Sequence, residues 1–329
     1  MLPSTMTTIE MTRAGNPDVL EPGTRPVPSP AAGEVLIRIT AAGVNGPDMV
    51  QRRGHYPPPK GASDLLGLEV SGEIVAVGEG VADSRIGERV CALTNGGGYA
   101  EYVAVDAGHC LPIPQGVDER DAAGLPETWF TVWSNLFHEH EPKKGEILLV
   151  HGGAGGIGST AVQLGTRLGM RVFATCASAD DCAFVESLGA ERAIDYTRED
   201  FVEIVREAGG AALILDIIGG DYIARNFKAA THDARIVQLA FNGGSKVEIN
   251  LMPVMLKRLT YTGSTLRSRP AAYKTEVARA LEAKVWPMFA DGSLAPRTHT
   301  IFPFSKARDA HNLMENAGHR GKILLQPDN

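Results

Sequence analysis

Gly153, Gly155, Gly156 and Gly158 follow directly on the apolar run Ile147-Leu148-Leu149-Val150. Residues without side chains at such a place let backbone N–H groups come close to an anion. Gly153, Gly155 and Gly158 fit G-x-G-x-x-G, and Gly156 adds a further position without a Cβ. If the turn opens a helix, the free N–H groups of its first turn and the helix dipole both favour a pyrophosphate. The motif alone is common, so its surroundings decide. An apolar helical pattern follows (Ala161, Val162, Leu164, Leu168), then Gly169, then the strand-like Arg171-Val172-Phe173-Ala174-Thr175. Strand, turn, helix and strand within about thirty residues is the size of one βαβ unit. Gly153, Gly155, Gly156, Ile157 and Gly158 are therefore expected to bind a dinucleotide, with a purely structural turn as the alternative.

The end of the second strand bears on which dinucleotide. A site for NAD usually places an acidic side chain there, about 20 residues past the glycines, to accept from the ribose 2′-OH. This chain has Cys176-Ala177-Ser178 instead. A hydroxyl and open backbone N–H groups tolerate a 2′-phosphate that a carboxylate would repel, so NADPH is expected over NADH. Ser178 equally suits the N-cap of a following helix, with Asp180 and Asp181 in the first turn where the dipole favours them. Both roles are compatible, although the two aspartates lie close to where the phosphate would sit.

The elements that must position this chemistry divide the chain in two. At 329 residues it exceeds one ordinary core, and with 43% hydrophobic residues it can bury two. Up to about residue 125 the pattern is short alternating strands among glycines and prolines, at 34–39, 70–78, 89–93 and 99–105. That predicts an antiparallel or barrel-like β domain. From 126 to 267 strands alternate with helices, with strands expected at 148–150, 172–175, 192–194, 213–216 and 235–239, which predicts a doubly wound parallel sheet. Beyond Pro270 a helical stretch at 273–289, a strand at 298–304, a helix near 305–316 and a strand at 321–325 are expected to return and complete the first domain as 268–329.

Composition excludes several function classes. A net charge of −7 without a basic run argues against nucleic acid or an anionic membrane as partner. The first residues lack a charged segment followed by an apolar one, and no apolar run reaches the length of a membrane span. A cytoplasmic protein is expected. Cys91, Cys110, Cys176 and Cys182 form no C-x-x-C pair, so neither a zinc knuckle nor a redox dithiol is signalled.

The order of β domain, G-G-A-G-G-I-G and C-terminal return resembles the medium-chain dehydrogenase/reductase superfamily over nearly the whole chain. Within it, the segments 42–48 (A-G-V-N-G-P-D), 51–59 (Q-R-R-G-H-Y-P-P-P), 67–72 (G-L-E-V-S-G) and 263–269 (G-S-T-L-R-S-R) resemble the zeta-crystallin-like NADPH quinone oxidoreductases. The branch that includes the tumour-suppressor-inducible quinone oxidoreductase is the most similar. The resemblance implies an α/β fold, a Rossmann sheet plus a GroES-like β-barrel domain.

One departure from the zinc alcohol dehydrogenases of that superfamily constrains the chemistry. Their early ligand cysteine aligns with Asn45 and the histidine of their G-H-E segment aligns with Leu68, and their structural-zinc cysteine cluster is missing. Catalytic zinc takes about three protein ligands and an open position, so no metal is expected. Hydride transfer involving a simple ketone builds charge on an unactivated oxygen and calls for a Lewis acid or a proton relay. A quinone gives an aromatic hydroquinone anion and a conjugated enone gives a delocalised enolate, so positioning and a hydrogen-bond donor can suffice.

Asn45 and Tyr56 are the candidate catalytic residues. The Asn45 amide can donate to a developing oxyanion, or instead fix the turn before Pro47. Tyr56, ahead of three prolines, can donate its hydroxyl or stack on a planar substrate, or simply pack on its own loop. Asp48, Trp129 and Leu266 complete the expected substrate contacts, though Asp48 reads better as an organiser of its loop than as a base. The resemblance places Thr131 and Asn45 near the nicotinamide, Tyr196 over the adenosine phosphate beside Ser178, and Phe241, Asn242 and Gly243 at the carboxamide. It adds Leu266, Arg267 and Lys322 to the cofactor contacts. The family often carries lysine at the position of Asp181, so the preference for NADPH is expected to be narrower here. Helix-interior hydrogen bonding is the alternative for Thr131. His138, His140, His151 and His232 read as exposed or satisfied.

The expected function is NADPH-dependent reduction of a quinone, with an enone or 2-alkenal reductase as the alternative and a cofactor-bound structural or RNA-binding crystallin-like protein as the reading from another class. The alternation of Val247, Ile249 and Leu251 before Val254-Met255-Leu256 predicts a sheet edge at 247–263 through which a homodimer forms.

Overall fold

The computed structural model describes residues 2–316 and 318–328. The chain divides into two compact units, Met1–Phe130 with Arg267–Asn329, and Thr131–Leu266. Sequence patterning sets the changes at 125/126 and 267/268, whereas the first unit runs on into the helix Pro126–Val132.

The second unit is a six-stranded parallel sheet. In chain order its strands are Ile147–His151, Arg171–Cys176, Arg192–Asp195, Ala211–Asp216, Ala230–Gln238 and Thr260–Gly263. Across the sheet they lie third, second, first, fourth, fifth and sixth, every pair parallel. This is the doubly wound Rossmann order, whose change of direction beside the first strand opens a crevice at the strand ends. The first strand is buried along its whole length, as a central parallel strand covered on both faces must be. Its side chains Ile147 and Leu149 pack with Phe173, Ile194, Ile214 and Ile236 in one core.

Local chemistry sets the helix starts. Ser178 caps Ala179–Ser187 by accepting from the Asp181 N–H, and Asp200 caps Phe201–Glu207 by accepting from the Val202 N–H. The expected edge at 247–263 is only partly strand. Residues 246–251 form no strand, because Asn250 turns the chain by accepting from the Met252 N–H and Pro253 sits in the first turn of the helix Met252–Lys257. Thr260–Gly263 alone forms the edge.

The first unit contains a sheet of seven strands, mostly antiparallel, built around the long strand Glu34–Val44. That strand pairs with Glu69–Val77 and Tyr102–Asp106, and at its far end with Lys322–Gln326, which sets Leu324 opposite Gly43. The C-terminal strand thus returns to the first unit. The helical stretch expected at 273–289 is two helices, Ala271–Lys284 and Trp286–Ala290, because Pro287 cannot continue the first. An N-terminal hairpin, Thr5–Met11 with Leu20–Pro26, has no counterpart in the sequence expectations.

Candidate active site

In the second unit, the glycine loop is built to seat an anion. The helix Gly156–Arg167 starts at Gly155, and its first backbone bond runs from the Ser159 N–H to the Gly155 carbonyl. Among the described residues, the N–H groups of Gly156, Ile157 and Gly158 therefore have no acceptor in the loop. A Cβ on Gly158 would lie 2.1 Å from the Gly152 oxygen, so only glycine lets the helix start so near the strand. A Cβ on Gly155 would meet nothing closer than 3.8 Å, so the loop is open at that position. Orphan donors facing open space fit a dinucleotide pyrophosphate.

Beneath the loop lies a buried polar chain. His151 Nδ1 is 3.1 Å from Thr175 Oγ1 and its Nε2 is 2.7 Å from Asn226 Oδ1. The Asn226 amide donates to Asp216 Oδ2 at 2.9 Å. Asp216 Oδ1 accepts the Ile218 and Gly219 N–H groups, fixing the turn after the fourth strand. Burial pushes the imidazole pKa of His151 down. His151 is thus a satisfied core histidine, and Asn226 and Asp216, which sequence reasoning missed, shape the loops that line the strand ends.

Ser178 is engaged as well as capping. Its hydroxyl donates to Asp181 Oδ2 at 2.8 Å, which puts a carboxylate on the group expected to meet a 2′-phosphate. Tyr196 is exposed, and its N–H donates to the Cys176 carbonyl, so it stands beside the end of the second strand. The Asn242 and Gly243 N–H groups donate to the Ile217 and Ile218 carbonyls, which folds the loop holding Phe241, Asn242 and Gly243 onto the Asp216 turn. The Thr131 carbonyl accepts from Ser134 Oγ and Asn135 Nδ2. Leu266 is buried.

In the first unit, Asn45 lies at the centre of a charged cluster. Lys322 Nζ donates to Asn45 Oδ1 at 2.5 Å and to the Val44 carbonyl at 3.2 Å, and lies 2.6 Å from Glu69 Oε1. Asn45 Nδ2 donates to the same Glu69 oxygen at 2.8 Å. The amide is held from both ends, which fixes its orientation and leaves its second N–H without a described partner. Glu69 can lie against the strand because position 43 is glycine: a Cβ there would stand 1.9 Å from Glu69 Oε1. The other Glu69 oxygen accepts the Glu127 N–H at 2.8 Å. Lys322, expected among the cofactor contacts, has its three N–H groups directed at these partners.

Asp48, expected among the substrate contacts and as an organiser of its loop, holds that loop together. It is buried, with Oδ2 accepting the Asn45 N–H at 2.9 Å and Oδ1 the Gly67 N–H at 3.0 Å. Burial raises its pKa to about 6. The Tyr99 hydroxyl, between Asp48 and His311 Nε2, extends this network to the Arg52 guanidinium.

Tyr56 is half-buried, and the Arg267 guanidinium stands 5.4 Å from its ring centroid. Arg267 in turn donates to Gln51 Oε1 at 2.7 Å and, through Nε and Nη2, to the Asn95 carbonyl. Arg267, expected among the cofactor contacts, is therefore also a strut of the first unit that braces Tyr56. Trp129, expected among the substrate contacts, is 2% exposed and meets Phe289 edge-on at 4.9 Å within the core of the first unit.

The feature most clearly missed is Glu127. It is partly exposed, and its carboxyl has no hydrogen-bonding partner among the described residues. Burial, reinforced by the Glu69 charge, raises its pKa to about 8. The only signal in the sequence was an acid beside Pro126 in an otherwise uncharged helix.

Among the described residues no group of three or more His, Cys, Asp or Glu side chains is arranged to hold a metal ion, and no helix is long and apolar enough to cross a membrane.

The comparisons with known proteins agree with this architecture. The alcohol dehydrogenase GroES-like domain family matches residues 31–115 and the zinc-binding dehydrogenase family matches residues 156–283. The quinone oxidoreductase of Rattus norvegicus is 28% identical, with 97% of each chain covered. A mycobacterial protein, Rv1454c, solved in complex with NADPH, is 27% identical with a TM-score of 0.88, covering 98% of this chain and all of that one. The CurK enoyl reductase is 25% identical with a TM-score of 0.85, covering 99% and 100%.

Proposed function

We propose that this chain, which belongs to the medium-chain dehydrogenase/reductase superfamily, reduces planar conjugated acceptors with NADPH and without a metal, quinones being the first class. Quinone oxidoreductases among its relatives support an oxidoreductase; the acceptor and the choice of nucleotide are our reading. NADPH, when bound, supplies a hydride. The glycine loop would hold its pyrophosphate, and Ser178 with Tyr196 would stand at the 2′-phosphate.

The observation that carries the reading is the state of Asn45. Its amide is clamped between Lys322 and Glu69 with one N–H to spare, so an oriented donor stands where the zinc alcohol dehydrogenases carry a ligand cysteine. A preorganised N–H stabilises an oxygen as it gains charge, and a quinone or enone spreads that charge over its own π system. A single donor of this kind, with the Tyr56 hydroxyl as a second, matches such an acceptor better than a saturated ketone. The likeness to the CurK enoyl reductase favours enones as a second class. Stacking or hydrogen bonding by Tyr56 would orient either.

The test is NADPH oxidation with a panel of ortho-quinones, para-quinones, enones and saturated ketones, before and after chelation and with elemental analysis for zinc. Turnover confined to conjugated acceptors and indifferent to chelator is expected. Zinc-dependent reduction of saturated ketones or oxidation of alcohols would overturn the reading.

A further inference from the structure

The acids of the first unit's cluster are in different states. Glu69 has both oxygens engaged, one by Asn45 and Lys322 and the other by the Glu127 N–H. Asp48 has both oxygens engaged by backbone N–H groups. Only Glu127 offers a carboxyl with no described partner and a partly open face. Its backbone is pinned by Glu69, which also holds Asn45, so one carboxylate fixes both the amide and the carbon skeleton of the free acid. Glu127 also lies within electrostatic reach of Tyr56. The geometry points to Glu127 as the proton donor that completes reduction of an enone, an inference that rests on the function proposed above.

The chemistry requires such a group in one acceptor class and not in the other. Adding hydride to the β carbon of an enone forms one C–H bond and sends the π pair to the carbonyl oxygen, giving an enolate. The acceptor gains two electrons, and the reduced nicotinamide loses them. The enolate must then take a proton at its α carbon; the Glu127 O–H bond breaks, a C–H bond forms, and the carboxylate regains its proton from water. A hydroquinone anion takes its proton on oxygen and exchanges readily with solvent, so it depends less on a positioned acid. The charges facing Glu127 are Glu69 and Asp48, which favour its protonated form, and Lys322, Arg267 and Lys274, which oppose it. Burial is the largest influence, and the carboxyl keeps its proton up to about pH 8.

The test uses the full chain, with Glu127→Gln and Glu127→Asp. The protonated-carboxyl band in the infrared difference spectrum between wild type and Glu127→Gln, recorded at pH 7 without nucleotide, is expected in wild type and expected to fade as pH rises through about 8. With NADPH, Glu127→Gln should lower enone kcat/KM about 100-fold, the low end of what a general acid contributes, and quinone kcat/KM by less than about tenfold. Glu127→Asp should restore part of the enone rate, and wild-type enone kcat/KM should fall above about pH 8. A Glu127→Gln variant that keeps enone reduction within about threefold of wild type, or an ionised Glu127 at pH 7, would overturn the assignment while leaving the function standing. A wild-type chain that reduces neither enones nor quinones would overturn the function and the assignment together.

Discussion

Lys322 Nζ and Glu69 Oε1 lie 2.6 Å apart, buried on adjacent parts of one sheet, with the Asn45 amide bridging them. The C-terminal strand thereby delivers a cation to the residue expected to stabilise the acceptor oxygen. Removing one partner of a buried pair leaves the other charge uncompensated, at a cost of about 3–5 kcal/mol. Lys322→Met should lose that much stability in urea denaturation, and the double variant with Glu69→Leu should recover a large part of it. A single variant as stable as wild type would show the pair to be dispensable.

Asn45→Ala and Tyr56→Phe should lower turnover while leaving NADPH affinity nearly unchanged, because both belong to the first unit and the glycine loop belongs to the second. One lost donor to a developing oxyanion costs up to about 2–4 kcal/mol in the barrier, and enones should suffer more than quinones. Single-turnover rates with both acceptor classes measure this. Wild-type rates in both variants would reduce the two residues to packing.

The Ser178 hydroxyl is bound to the Asp181 carboxylate. The expected preference for NADPH over NADH should therefore be small in kcat/KM, and Asp181→Lys should strengthen NADPH binding by about 1 kcal/mol, the upper end for an exposed ion pair. Titration of NADPH binding against wild type checks it. Equal or better efficiency with NADH in wild type would contradict the preference.

The edge strand Thr260–Gly263 is preceded in sequence by exposed apolar side chains: Leu251, Met255 and Leu256 are 61%, 67% and 62% exposed. An unpaired edge and a set of exposed apolar side chains in one unit invite pairing with a second copy. Sedimentation should give a dimer of the 35.0 kDa chain at micromolar concentration, and Leu256→Asp with Met255→Asp should weaken it. A wild-type monomer would exclude the interface.

The parts legible in the sequence are those governed by local patterns. The glycine loop, the alternation that follows it and the Ser178 cap depend on spacing and on backbone chemistry within a few residues, and the strand Arg89–Leu93 falls where alternation puts it. What was not legible depends on partners far along the chain. Lys322 reaches Asn45 only because the last strand pairs with Glu34–Val44, and Arg267 is committed to Gln51 and Asn95 across comparable separations. Trp129 was expected among the substrate contacts, and its packing against Phe289, distant in sequence, is set by the fold. Glu127 escaped notice because its state comes from burial and from Glu69, neither of which a linear reading supplies. At 247–251 the alternation was real, but Asn250 and Pro253 turned the chain before a strand could form.

The most direct test of the account is where the hydride goes. NADPH carrying deuterium at the transferred position of C4, incubated with wild-type protein and a simple enone, should give a saturated ketone with one non-exchangeable deuterium on the former β carbon, located by mass spectrometry and NMR. A product without that deuterium, or consumption of NADPH with the enone unchanged, would contradict hydride transfer to a conjugated acceptor.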